Sequence, residues 1–322
     1  MTTVLAPRAS VVVAVNPHDN DLSRLLDAYA RQTVGCAAFE LIVVDTGHRT
    51  GIEQTAARHR TRQPALNLRV VHGGTYGRAA ANNAGVAAAR SDLIIVMADD
   101  FVPAPTLVGA HLAFHDAGPA PGAVGIGPGY FTAAMRRDPF RRWLEDSGSL
   151  YGIPFRAGRL GWSDAFFYAG NASFRRALHD AVGRFDERFP HDVWDDFEFG
   201  YRLAARGARS FFLPKALAWH DHAVDLAERG RAIERAGEAA RLCESLHPQL
   251  RPWAALVAQP SSAHSASAWA AAARHERSGG RSALEACFRA TLDFFFVSGY
   301  EGALARETVV KPAAVAPAGR AA

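Results

Sequence analysis

The chain has 322 residues, 49% of them hydrophobic, enough for one large or two modest domains with a core. Its 36 basic and 32 acidic residues leave a net charge of +4 without a dense basic stripe, which argues against a nucleic-acid partner. Three widely spaced cysteines and no apolar run of about 20 residues predict a reduced, cytoplasmic protein without disulfides, a zinc motif or a transmembrane segment.

Strand and helix patterns alternate along the first hundred residues. Short apolar runs predict strands at 10–15, 40–44, 68–71 and 92–97. Amphipathic or alanine-rich segments predict helices at about 22–32, 51–62 and 79–89. This alternation predicts an α/β fold with a mostly parallel sheet covered by helices.

The pattern changes after residue 117. Residues 118–165 are rich in glycine, proline and aromatic residues and predict a loop-rich region. Further on, the sequence predicts helices at 173–180 and 196–206 and a strand at 210–213. Beyond residue 224 an Ala/Arg/Glu-rich segment predicts two to four helices, and 312–322 is expected to be a disordered tail.

Acidic residues follow two of the predicted strands. Asp45 ends the second strand, and Asp99 and Asp100 follow the fourth. Ligands of open α/β sheets bind beyond the carboxyl ends of the strands, so we expect these acids at one edge. Adjacent carboxylates suit a divalent cation, although solvated acids capping a strand would give the same pattern, and Asp45 before Gly47 could simply form a turn.

A second acidic cluster opens the helix predicted at 196–206. Asp195 and Glu198 are three residues apart and share a helix face, whereas Asp196 points elsewhere. These acids could serve as a general base or merely stabilise the helix start through the macrodipole. Downstream, His220 and His222 are candidate metal ligands beside the carboxylates, although a lone histidine would more simply have a core or surface role.

Seven motifs in this order resemble those of family 2 glycosyltransferases, which have the GT-A fold. They lie at 10–16, 40–45, 77–85, 98–103, 170–176, 183–186 and 194–202. The resemblance covers about residues 10–222. It implies a GT-A catalytic domain at 1–223, with a nucleotide-sugar-binding part at 1–117 and an acceptor-binding, catalytic part at 118–223, followed by a helical region at 224–311.

The resemblance also implies roles on the donor side. Asp100 matches the last acid of the family's DXD motif and would hold Mn²⁺ or Mg²⁺, with His220 as a further ligand. Asp99 would reach the ribose, and Ala98 replaces the first acid of that motif. Asp45, Asn16 and Asn83 match positions around the nucleotide, although helix packing or capping would equally explain Asn83.

On the acceptor side, the resemblance implies that Asp196 is the catalytic base and that Asp195 replaces the glutamate of the family's acidic pair. The implied activity is inverting transfer from a UDP-, GDP- or dTDP-sugar to an acceptor that the sequence does not identify. The C-terminal helices could form a homo-oligomer. Two alternatives remain open: a metal-dependent phosphohydrolase using Asp99, Asp100 and both histidines, and a non-catalytic nucleotide-binding module.

Overall fold

The structure is a computed structural model, and it describes residues 6–15, 21–47, 50–73, 77–151, 167–189, 193–250 and 280–310. The chain divides into two compact units, Met1–Val224 and Asp225–Ala322. Each unit is described by itself below.

The first unit contains ten described strands. In chain order they are β1 Ala9–Val15, β2 Phe39–Asp45, β3 Leu68–His72, β4 Leu93–Ala98, β5 Phe101–Pro103, β6 Ala123–Ile126, β7 Gly129–Phe131, β8 Asn171–Arg175, β9 Arg209–Phe212 and β10 Ala218–His220. Seven of them form one sheet in the order β3-β2-β1-β4-β8-β6-β9, and the others form a small sheet in the order β5-β10-β7.

Seven described α-helices accompany these strands. They are α1 Leu22–Ala30, α2 Ile52–Arg62, α3 Arg78–Ala88, α4 Leu107–Asp116, α5 Pro139–Ser147, α6 Arg176–Ala181 and α7 Asp195–Ala205. The alternating first half and the parallel pairing of β3, β2, β1 and β4 confirm the predicted α/β fold.

The centre of the large sheet is fully buried. All seven residues of β1 are buried, as expected for a strand flanked by parallel neighbours and covered on both faces. Helix α3 lies close to this strand because its residues are small. A Cβ atom on Gly85 would lie 2.2 Å from Val12 Cγ1, so no larger residue fits without a shift of the helix.

Two predictions for the middle of the chain were wrong. Residues 173–175, expected in a helix, belong to β8, and helix α6 begins only at Arg176. Strand β8 pairs antiparallel with both β4 and β6, and this pairing overrides a local pattern too short to distinguish strand from helix. The expected loop region contains β6, β7 and α5, while its part at 152–166 lies outside the described residues.

The second unit contains two long described helices, α8 Leu226–Leu246 and α9 Arg281–Val310. They pack closely at glycines: a Cβ atom on Gly237 would lie 2.1 Å from the carbonyl oxygen of Phe296, and one on Gly299 would lie 1.9 Å from that of Glu234. Over the described part of the chain, no helix combines the length and apolar character needed to cross a membrane. The tail at 312–322 lies outside the described residues.

Candidate active site

Parallel pairing brings the ends of three central strands to one edge of the sheet. Val15 of β1 is in register with Asp45 of β2, and Ala14 is in register with Ala98 at the end of β4. Asp99 and Asp100 follow Ala98 directly, before the chain enters β5. The acids that follow β2 and β4 therefore lie on the same edge, where ligands of such sheets bind.

The small sheet brings His220 to Asp100. Strand β10 runs antiparallel to β5, and the N–H group of Asp221 donates to the carbonyl oxygen of Asp100 at 2.7 Å. The Nε2 atom of His220 lies 2.9 Å from Asp100 Oδ2. The imidazole is buried between the rings of Phe101 and Phe131, with centroid distances of 5.3 and 4.9 Å. Its position is thus fixed by strand pairing and by ring packing.

The charges around Asp100 favour its ionised form. Burial alone would raise the pKa of this carboxyl, but the nearby imidazoles of His220 and His222 and the hydrogen bond from His220 together lower it. The Oδ1 atom of Asp100 is buried and accepts no hydrogen bond from the described residues. Such an atom is costly without a partner, which fits a carboxylate prepared for a cation.

Asp100 and His220 are candidates for two ligands of a metal ion. Within the described ranges, no three His, Cys, Asp or Glu side chains are grouped so that they could hold a metal ion. Asp100 and His220 therefore provide a carboxylate and an imidazole, a donor set suited to Mn²⁺. Mg²⁺ and similar ions commonly take one or two protein carboxylates and complete their shell with water and substrate phosphates, so two protein ligands fit this role.

The acidic pair at the start of α7 is held by a residue of α3. The guanidinium of Arg78 makes a two-pronged contact with Asp195, with Nε donating to Oδ2 at 3.1 Å and Nη2 donating to Oδ1. The same Nη2 atom lies 3.1 Å from Asp196 Oδ2. The Asp195 side chain is 0% exposed, whereas that of Asp196 is 17% exposed. Asp196 is therefore the more accessible member of the pair.

Two further hydrogen bonds fix the Asp196 carboxylate. Its Oδ1 atom accepts from the N–H of Phe197 at 2.9 Å, and its Oδ2 atom accepts from the N–H of Ala169 at 3.3 Å. The next residue, Gly170, accepts a hydrogen bond from the N–H of Ala98 at 3.1 Å. A short main-chain path through residues 169–170 thus connects Asp196 to the turn that carries Asp99 and Asp100.

Tyr168 is buried and directly precedes the main-chain path that connects the two acidic groups. Its pKa is raised well above the usual value, mainly by burial and further by Tyr151 and by the negative charges of Asp100 and Asp196. The hydroxyl stays protonated at physiological pH and can only act there as a neutral hydrogen-bonding group.

Residues expected around the nucleotide differ in their surroundings. Asp45 Oδ1 accepts from the N–H of Gly47 at 2.8 Å, which is the turn-forming contact considered above, and Oδ2 lies 3.5 Å from His72 Nδ1. Asp99 is 4% exposed and offers little surface to a ribose. Asn16 lies outside the described residues.

Asn83 is occupied by protein contacts. Its Nδ2 atom donates to the carbonyl oxygen of Phe185 at 2.9 Å and to Glu187 Oε1 at 2.8 Å. Its Oδ1 atom accepts from the N–H of Phe185 at 3.0 Å and lies 3.1 Å from His179 Nε2. A contact with a nucleotide would require breaking one of these bonds, so the geometry favours the packing role for Asn83.

Comparison with protein families identifies the chain. The family model described as glycosyl transferase family 2 matches residues 10–183, more than half of the chain. The chain belongs to glycosyl transferase family 2. The match ends before α7, so the acidic pair lies beyond the matched residues.

Curated relatives share part of this family 2 chain. It is 30% identical over 224 residues to a validoxylamine A glucosyltransferase of Streptomyces hygroscopicus subsp. limoneus, covering 62% of this chain and 49% of the relative. It is 26% identical over 212 residues to a hyaluronan synthase of Pasteurella multocida, covering 56% and 21%, respectively. The chain thus spans about half the length of the glucosyltransferase that it matches.

Solved structures share the GT-A fold. The mannosyltransferase PcManGT from Pyrobaculum calidifontis, in complex with GDP-Man and Mn²⁺, matches with a TM-score of 0.58 at 20% identity over 93% of this chain and 88% of that one. TarS 1–349 of S. aureus matches with a TM-score of 0.51 at 17% identity over 74% and 64%. At these identities the likeness concerns the fold.

The geometry adds two residues to the candidate site of this family 2 glycosyltransferase that the sequence alone did not single out. Arg78 stands at the first position of α3, where the helix macrodipole disfavours a positive charge, and that mismatch is a signal for an acidic partner. Tyr168 lies two residues before Gly170, in an apolar stretch that suggested only a core position. Its burial next to the connection between the two acidic groups depends on tertiary structure.

Proposed function

We propose that this protein is an inverting glycosyltransferase that moves a sugar from a nucleotide-diphosphate donor to an acceptor hydroxyl with the help of a divalent cation. The observation that carries the proposal is the main-chain connection between Asp100 and Asp196 through residues 169–170. It combines a cation-binding carboxylate with a second, separately fixed carboxylate in one site. Membership in family 2 and the resemblance to glucosyl- and mannosyltransferases support it.

Asp100 and His220 form the donor side of the site. They would hold Mn²⁺ or Mg²⁺ through the buried carboxylate oxygen and the imidazole, and a bound cation would offset the negative charge of the diphosphate leaving group. Asp100 directly precedes β5 and His220 ends β10, which pairs with β5, so the two residues need little rearrangement to bind.

Asp196 forms the acceptor side. Its carboxylate takes the proton of the acceptor hydroxyl as the oxygen attacks the anomeric carbon and the bond to the diphosphate breaks. A single displacement of this kind inverts the configuration of that carbon. The backbone N–H groups of Ala169 and Phe197 keep the carboxylate in one orientation, which lowers the entropic cost of reaching the reactive geometry.

Asp45 and Asn16 are the candidate residues for recognising the nucleoside of the donor. Asp45 borders the sheet edge beside β1 and is partly exposed, so it stays our candidate for the base or ribose, together with Asn16. The names of the similar proteins suggest glucose and mannose as the first sugars to test.

A donor screen tests the proposal. UDP-glucose, GDP-glucose, dTDP-glucose and GDP-mannose are each added with and without Mn²⁺, and the melting temperature and the release of nucleoside diphosphate are recorded. A ligand at 100 times its dissociation constant should stabilise the fold by about 2.7 kcal/mol. Asp100→Ala should abolish the part of this stabilisation that depends on Mn²⁺. Asp116→Ala should not, because Asp116 is an exposed acid paired with Arg8. Hydrolysis of simple phosphate esters without any response to nucleotide sugars would instead support the phosphohydrolase.

A further inference from the structure

Arg78 connects the start of α3 to both acids at the start of α7. Its contact with Asp195 is two-pronged, and its Nη2 atom lies 3.1 Å from Asp196 Oδ2. The Arg78 side chain is 16% exposed and that of Asp195 is 0% exposed, so solvent screens their interaction little. The arginine can therefore influence the charge and the orientation of the pair.

Two adjacent carboxylates in a largely buried place repel each other, and one of them normally retains a proton. A guanidinium that contacts both offsets this repulsion. Among the described residues, the backbone N–H groups of Ala169 and Phe197 also donate to Asp196, and these groups carry no net charge. Arg78 thus places a full positive charge beside the Asp196 carboxylate.

The shape of the guanidinium also matters. Its planar fork matches the two oxygens of Asp195 and leaves Nη2 shared with Asp196, a geometry that the single ammonium of lysine cannot reproduce. Asp195 thereby anchors the guanidinium of Arg78, and the remaining contact of the Arg78 Nη2 atom is with Asp196. This arrangement separates an anchoring acid from a reacting acid within one helix turn.

We infer that Arg78 is a positioning residue that offsets the charge repulsion within the acidic pair and keeps Asp196 oriented as the base. This inference rests on the proposed function, in which Asp196 accepts the proton of the acceptor hydroxyl. Arg78 acts through the acid and does not itself contact the reacting atoms.

The test compares Arg78→Gln and Arg78→Lys with the wild-type protein in donor turnover measured as nucleoside diphosphate release from UDP-glucose or GDP-mannose. In Arg78→Gln we expect kcat to fall by about 10²-fold, the usual effect of losing a general base, with little change in KM for the donor. The acidic limb of the pH profile should move to higher pH, because the two acids then share a proton. Arg78→Lys should keep the limb close to its wild-type position but recover only part of kcat.

Arg69→Gln is the matched control. Arg69 of β3 pairs with the buried Glu40 at 2.9 Å, and both lie at the opposite edge of the sheet from Asp45. This variant should lose stability without moving the acidic limb. If both variants change only stability, or if Arg78→Gln raises KM for the donor at unchanged kcat, the inference is overturned and Arg78 is structural or binds the donor.

A second measurement needs no turnover. The melting temperature of Arg78→Gln should approach that of the wild-type protein as the pH falls from 8 to 5, because protonation relieves the repulsion within the pair. A difference in melting temperature between the two proteins that stays constant over this range contradicts the inference.

If Asp196→Asn retains full turnover, the proposed function fails instead. If Asp196→Asn loses turnover and Arg78→Gln does not, the proposed function stands and the positioning role of Arg78 is overturned. If Arg78→Gln does not fold, Arg78→Gln combined with Asp195→Asn removes both charges of the buried pair and should restore folding.

Discussion

His220 Nε2 lies 2.9 Å from Asp100 Oδ2, although the two residues are 120 positions apart in the chain. The hydrogen bond from the N–H of Asp221 to the carbonyl oxygen of Asp100 holds their backbones together as well. The candidate cation ligands are thus fixed by main-chain pairing and do not depend on flexible side chains finding each other.

Removing either ligand should abolish cation-dependent nucleotide binding. Losing a residue that only hydrogen-bonds to a metal ligand typically lowers metal affinity by about 10- to 100-fold. For His220→Ala we expect a larger fall in the affinity for GDP or UDP in the presence of Mn²⁺, and each tenfold loss corresponds to about 1.4 kcal/mol. His222→Ala is the control, since its ring centroid is 6.2 Å from that of His220. Calorimetric titration with and without Mn²⁺ measures both, and a larger loss in His222→Ala would exchange their roles.

Substitutions of the two acids of the pair should have different effects. Asp196→Asn removes basicity but keeps size, so kcat should fall by at least about 10²-fold while donor affinity barely changes. Asp195→Asn leaves the Arg78 charge without its buried partner and should cost stability, about 3–5 kcal/mol for a fully buried pair. Steady-state kinetics and thermal melting separate the two effects. A greater loss of kcat in Asp195→Asn, with stability intact, would reverse the assignment.

Two buried histidines should make the first unit sensitive to acid. His111 and His115 both contact Ser173 Oγ, at 2.8 and 2.9 Å, and burial lowers the pKa of each to about 4. The unfolded chain takes up these protons near pH 6.5, whereas the folded chain does so only near pH 4. The contribution of these histidines to the free energy of unfolding is therefore fully present above pH 6.5. It falls as the pH decreases towards 4, by about 1.4 kcal/mol per pH unit for each histidine.

Urea unfolding of the wild-type protein and of His111→Gln between pH 7 and 5 measures this slope. The variant lacks one of the two titrating groups, so its free energy of unfolding should depend less steeply on pH. An equal slope in both proteins would show that other groups cause the acid sensitivity.

The contact between α8 and α9 should not tolerate a methyl group at Gly237. Alanine gains about 1 kcal/mol in helix propensity, but its Cβ would lie 2.1 Å from a backbone oxygen, and overpacking costs about 1–3 kcal/mol. We expect Gly237→Ala to lower the melting temperature of the protein. Gly109→Ala in α4 is the control, because a Cβ there meets its nearest neighbour at 3.8 Å and should be neutral or stabilising.

The sequence predicted what local pattern determines. Buried apolar runs gave the parallel strands, and the rule that ligands bind at strand ends brought Asp45, Asp99 and Asp100 to one edge. The sequence did not reveal β8, because its pairing with β4 and β6 depends on residues far away in the chain.

Side-chain partnerships were also beyond the sequence. The contacts of Arg78 with the acidic pair cross 117 positions, and no period or spacing reports them. Trp194, just before that pair, has a φ of 68°, a left-handed conformation that a bulky residue rarely adopts and that no propensity would suggest. Strained residues of this kind gather at functional sites, so the failure of the local rule is itself informative.

The three-residue strands β5 and β10 impose a strict limit on redesign of this protein. His220 faces the buried side of the small sheet, while its neighbour Trp219 is 38% exposed. Because side chains alternate along a strand, inserting one residue between Ala218 and Trp219 would exchange the two faces of β10 and bring the indole to the place of the imidazole. An insertion between Asp100 and Pro103 would likewise exchange the two faces of β5. Grafts that alter acceptor choice therefore belong in the connections between these strands, with both tripeptides kept at their present length.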